Sequence, residues 1–133
     1  MPITGVSQLA NNQAGLIALT VPIANNASLS STFSVPGYVP VAIQTDGALT
    51  SGTAGVDLLA CASPTGTPLA ALTTSGNQIT ATVVAATAQY VSLVGQDMVV
   101  AALYQLHAVD SSGAAKTQSP ASSIVVVMRR YLS

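Results

Sequence analysis

The segment from Tyr90 to Val109, YVSLVGQDMVVAALYQLHAV, is the longest apolar stretch of the chain, and how it folds decides the class of protein. A membrane-spanning helix needs roughly 18 to 20 uninterrupted apolar residues. Here Gln89 precedes the stretch, and Gln96, Asp97 and Gln105 interrupt it. Gly95-Gln96-Asp97 falls where the bilayer centre would lie. Good helix formers at Ala101, Ala102, Leu103 and Leu106 permit a buried helix over Met98 to Val109. Two β-strands around a Gly-Gln-Asp turn fit better. Tyr90, Ser92 and Val94 then face one way, and Val91 and Leu93 the other. The two-strand reading is carried forward, with the short helix as its alternative.

The rest of the chain supplies more strands. Gly15–Ile23 is the first, and its Pro22 places that end at an edge or a bulge because proline cannot donate to a ladder. A turn at Ala24–Ala27 leads to the alternating Ser28–Val35, with Leu29, Ser31, Phe33 and Val35 on one face. Pro36-Gly37 is a strong turn signal before the strand Tyr38–Gln44, where Pro40 again suggests an edge. Thr45–Gly55 reads as a loop and Val56–Ala62 as a strand. Leu69–Thr74 is a candidate short strand, and Gln78–Val84 alternates with Ile79, Ala81 and Val83 inward. After the two central strands, Asp110–Ala121 is a loop. The β-branched run in Ser122–Tyr131 predicts a strand buried on both faces. Eight to nine short strands with frequent turns predict an all-β fold: an antiparallel β-sandwich, jelly-roll-like, over residues 15–133. The polar lead Met1–Ala14 has no sustained period and reads as an extended N-terminal arm, either loose or laid on a neighbouring subunit.

Charge is the second constraint. The chain has three basic and four acidic residues in 133, so 5% of it is charged, against about 25% in an average soluble domain. There is no Glu. The surface must then be Ser, Thr, Asn, Gln, Gly and Ala, which cost far less to bury than Lys or Glu. Charge depletion also marks the cores of protein interfaces. Both points predict that much of the surface is covered in an assembly. A net charge of −1 with no basic stripe argues against nucleic acid and anionic membrane surfaces as partners. The N-terminus lacks a basic stretch followed by an apolar one. No secretory signal is expected, and synthesis in the cytoplasm is.

Chemistry is sparse. The four aspartates fall in separate segments, so no carboxylate pair is positioned for acid–base work. Asp46 and Asp110 stand at loop starts, where aspartate organises turns. A lone Cys61 excludes an internal disulfide and reads as a small core residue. A lone His107 reads as a hydrogen-bonded packing residue. One His, one Cys and scattered Asp do not make a metal site. No phosphate-binding glycine loop or nucleophile elbow occurs. No catalytic, cofactor-binding or metal-binding residues are expected, and an enzyme is not. The candidate functional residues are interface residues: Met1, Pro2, Ile3 and Leu9 in the arm, Tyr38 and Tyr131 as aromatic anchors, and Arg129 and Arg130 as a fork-like pair.

From Leu19 to Leu132 the order of features resembles small β-sandwich proteins encoded among the virion-structure genes of tailed bacteriophages. The residues that carry the likeness are VPIANNASLSSTFSVPGYVPVAIQTDGALTSG, the Val56–Ala62 strand, Val91-Ser92-Leu93 and the closing SSIVVVMRRYL. The chain departs from the pattern in lacking the aromatics that the pattern places in the Val56 and Met98 strands, and in being apolar from Leu103 to Val109. The resemblance implies a non-enzymatic capsid cement or decoration protein on the phage head surface. It would bind the major capsid protein and self-associate, as a homotrimer. A neck, tail or head-fibre component is the alternative in the same class. A carbohydrate- or host-surface-binding module is the alternative outside it.

Overall fold

The computed structural model describes residues 7–10 (backbone alone), 15–47, 49–93 and 99–131. Nine strands occur among them: β1 (Ser7–Ala10), β2 (Leu16–Ile23), β3 (Tyr38–Asp46), β4 (Gly55–Cys61), β5 (Leu69–Ala70), β6 (Thr80–Thr82), β7 (Ala88–Ser92), β8 (Leu103–Val109) and β9 (Ser122–Arg130). They form two antiparallel sheets. Sheet I has the order β1-β2-β9-β3-β7. In sheet II, β4 pairs with β8 along its whole length on one side and with β5 and β6, end to end, on the other. The fold is an all-β sandwich.

Alternation builds its core. Along β2 the inward side chains Ile17, Leu19, Val21 and Ile23 are all at most 4% exposed, while the residues between them are half-buried. Ile124, Val126 and Met128 do the same on β9. They meet Val56, Leu58, Leu106 and Ala108 from sheet II in one cluster. Burying each larger aliphatic side chain contributes roughly 1.5–3 kcal/mol. Phe33 and Tyr104, neighbours in a β-bridge, stack side by side at a centroid separation of 5.7 Å.

The central apolar stretch supplies two strands. β7 overlaps the first predicted strand, and the alternative helix over Met98–Val109 is replaced by β8, a strand of seven residues. Good helix formers at its start yield to pairing with β4 from Gly55 to Cys61. The Gly95-Gln96-Asp97 turn lies outside the described residues. No helix among the described residues is long and apolar enough to cross a membrane.

Ser28–Val35 is not a regular strand. It runs between the sheets: Ser30 N–H donates to Leu106 O at 2.9 Å and Ser31 N–H to Pro22 O at 3.0 Å. Between the bridges Leu29–His107 and Phe33–Tyr104 it carries one residue more than β8. That extra residue breaks the alternation. Leu29 is therefore 44% exposed while Phe33 is fully buried. The Leu69–Thr74 candidate shrinks to the two residues of β5. Asp46 ends β3 rather than opening a loop.

The prolines sit where the ladder spares them. Pro22 lies beyond the reach of β1, and its carbonyl turns away from β9 to Ser31. Pro40 is not on an edge strand, since β3 lies between β9 and β7. It borders the register shift between Pro40 and Ala42, and β7 pairs only from Ala42 onward. The Pro36-Gly37 turn closes with Tyr38 N–H donating to Val35 O at 3.1 Å, and Gly37 takes φ +84°, the left-handed position a type II turn requires. Within the lead read as an arm, Ser7–Ala10 is not free: it pairs with Ala18–Thr20 of β2 as an edge strand. β9 is central and closely fits Ser122–Tyr131, but its two faces differ. Ile124, Val126 and Met128 are buried on one face; on the other Val127 is buried too, but Val125 is half-buried and Ser123 exposed, so burial on both faces holds only in part.

Candidate interaction surface

Met1, Pro2 and Ile3 lie outside the described residues. Leu9 is in β1, at the point where its register with β2 shifts. The other four candidates come together. Antiparallel pairing of β3 with β9 sets Tyr38 opposite Arg130, and pairing of β2 with β9 sets Leu16 opposite Arg129. Tyr131 is fastened beside them by its N–H to Gly37 O at 2.8 Å. The Arg130 guanidinium donates to the Tyr38 hydroxyl, with Nη2 at 3.2 Å and Nε at 3.4 Å. Its Cζ lies 5.7 Å from the ring centroid. Arg129 is exposed, and its guanidinium makes no hydrogen bond or ion pair with the described residues. Leu16 and Tyr131 add apolar surface, 38% and 37% exposed. The basic pair predicted as a fork is thus one anchored guanidinium and one open one, flanked by aromatic and aliphatic surface.

The acidic side chains among the described residues lie at the other end. Asp46 closes β3, the nine-residue strand that Tyr38 opens, and Asp110 follows β8 beside Gly55. Asp57 stands in β4 opposite both His107 and Thr80 on the outward face of sheet II. A cleft of about 430 Å³ opens there, lined by Asp57, Asp110, Gln78, Thr80, Thr82 and Ser111 among others. Asp57 is half-buried, and its carboxylate makes no hydrogen bond or ion pair with the described residues. Asp110 fulfils its expected turn role. Its Oδ1 accepts from Ser112 N–H at 2.9 Å, Ser112 Oγ–H at 2.7 Å and Ala114 N–H at 3.1 Å. Those bonds, the Ser112 hydroxyl's first, hold its carboxyl below the usual range.

Two single-copy residues differ from expectation or gain context. Cys61 is not in the core: it is a half-buried free thiol at the end of β4, on the outward side shared with Asp57 and Leu59. His107 is half-buried on that same face, between Leu29 and Asp57. No group of three or more His, Cys, Asp or Glu side chains that could hold a metal occurs among the described residues.

Uncharged residues lie between the two ends. On the outward side of sheet I, the cross-strand row Thr20–Val125–Gln44–Tyr90 is half-buried to exposed, whereas in the next row, Ala18–Val127–Ala42–Ser92, Val127 and Ala42 are buried. Elsewhere Leu69, Leu72, Val84 and Val100 are more than half exposed. Sequence reasoning missed these residues, because each belongs to an alternating or short apolar run whose inward and outward members look alike. A scan against protein-family models matches none, and searches of curated proteins and solved structures return no match.

Proposed function

We propose that this chain is a non-enzymatic structural protein of a tailed-phage virion, acting as a cement or decoration protein that binds the head shell and stabilises it. The observation that carries the reading is the make-up of the sandwich surface. Its broad sheet face presents Thr20, Val125, Gln44 and Tyr90, half-buried to exposed and uncharged, in one cross-strand row. Large apolar side chains such as Leu69, Val84 and Tyr90 stand 71%, 62% and 62% exposed around it. Covering such a surface in an assembly gains apolar burial and desolvates few strongly hydrated groups. The resemblance in Val21–Gly52 and SSIVVVMRRYL supplies the particle. The major capsid protein is the fitting partner, and self-association as a homotrimer fits the low charge of the contact faces.

Particles purified from the source phage, washed and digested for mass spectrometry, test the reading. A structural protein is recovered with the shell after washing. A chain released in the wash or missing from the particle contradicts it. Recovery only with isolated tails would assign it to the neck or tail.

A further inference from the structure

We infer that copies of this chain associate with one another head to tail, the Arg129–Arg130 end of one copy docking into the Asp57–Asp110 cleft of the next. The inference deepens the structural reading above by naming the self-contact, and it rests on where the few charges lie. Six of the seven charged side chains are described, and they are segregated. Arg129 and Arg130 close β9. Asp46, Asp57, Asp110 and Lys116 cluster around its opposite end. Lys116 N–H donates to Ala108 O, next to the start of the Asp110 loop, and Asp46 is paired with Ala88 at the far end of β3. The nine residues of β9 separate the two ends by about 27 Å at the rise of an antiparallel strand.

The acidic end carries three carboxylates against one lysine, a local charge of −2, and the basic end +2. In a chain that is 5% charged, no other charged side chain among the described residues lies between them, and uncharged residues of sheet I separate them. The shapes also match. The acidic end is concave, with a cleft of about 430 Å³. The basic end projects an unpaired Arg129, flanked by Leu16 and Tyr131. The cleft's donor set suits a guanidinium. The Asp57 carboxylate has no partner among the described residues, and Asp110 has one oxygen committed to its turn and the other available to accept. Because the two surfaces differ, the contact is heterologous: it closes into a ring if the rotation permits and otherwise repeats as an open stack.

Sedimentation velocity on the full chain tests this. The wild-type chain should associate, and more weakly as salt is raised from roughly 50 mM to roughly 500 mM, since screening acts on exposed charges first. R129D/R130D has two acidic ends and should lose association by about tenfold or more per reversed charge. D46K/D57N/D110N has two basic ends and should lose it similarly; the asparagine at position 110 keeps an acceptor for the Asp110 turn. Mixing the two variants should restore association, because each now complements the other. Restoration also shows that both variants are folded. A wild-type chain that stays monomeric at low salt overturns the proposal. So does a self-association unaffected by R129D/R130D, or a mixture that stays as monomeric as its parts. Particle recovery with any of these results would remove this contact and leave the virion reading standing. Head-to-tail association by a chain missing from particles would do the reverse.

Discussion

Gln118 is fully buried, and its amide is completely used. Nε2 donates to Thr53 Oγ1 at 3.1 Å and Lys116 O at 3.2 Å, while Oε1 accepts from Thr50 N–H and Ser122 Oγ–H, both at 2.9 Å. It ties the loop after β8 to the loop after β3. Gln118→Ala should cost about 3 kcal/mol and lower the melting temperature by about 10 °C, since several buried groups lose partners together. Thermal unfolding followed by circular dichroism checks this. Tyr104 is 1% exposed, and its hydroxyl donates to Val99 O at 2.7 Å and accepts from Ala101 N–H at 3.0 Å. Burial raises its pKa above 10.0. The folded chain therefore holds that proton more tightly than the unfolded one. The resulting stability is complete below the unfolded value and is lost as pH rises through the folded one. Tyr104→Phe should cost about 1 kcal/mol at neutral pH and flatten the alkaline fall in stability, read from urea unfolding against pH. Asp110 has the opposite sign. Its lowered pKa gives stability present above 3.8 and lost as pH falls below it. Asp110→Asn should lower stability slightly at neutral pH and flatten the acid limb, so that the two chains converge in acid. Of these residues, only Asp110 was legible in the sequence, because an aspartate heading Asp-Ser-Ser-Gly organises its own turn. Gln118 resembles any loop glutamine until residues more than sixty positions away close over it.

Among the elements, β9 is the one the others depend on. It lies between β2 and β3, and its β-branched run was readable as a strand from composition alone. Its alternation gives a contrast that tests the fold. Val126 is fully buried and Val125 half-buried on the outward face. Val126→Ala should cost about 2–3 kcal/mol by loss of burial plus the cavity left, whereas Val125→Thr, also β-branched, should cost less than about 1 kcal/mol. Urea unfolding of the two variants separates them, and equal costs would contradict the assigned faces. Sequence pattern located β3 and β4 by their alternation and β9 by its β-branched run, while β8 was left between strand and helix because its stretch also holds good helix formers. It misread Ser28–Val35, whose alternation is real in sequence but is broken by the extra residue against β8. It also placed Pro40 at an edge, where a register shift inside the sheet accommodates it instead.

At the scale of the molecule, two sheets share a core of aliphatic side chains, and the outside is short of charge. The scarcity was plain from composition. Its arrangement was not, because Arg129 and Asp46 become opposite ends only once β3 and β9 run antiparallel. The Tyr38–Arg130 contact could be guessed as two interface residues, but their meeting depends on that same register. The cleft at Asp57 and Asp110 had no sequence signal, since it joins residues from three segments. A surface built this way is suited to being covered, and the central claim is that it is covered on a phage particle. The most direct measurement is the copy number of this chain per purified virion, by quantitative mass spectrometry against the major capsid protein. The account predicts a ratio near one to one, or one trimer per local three-fold, on the order of hundreds of copies per particle. Absence from the particle, or roughly a dozen copies as expected of a neck or tail ring, would contradict the cement role.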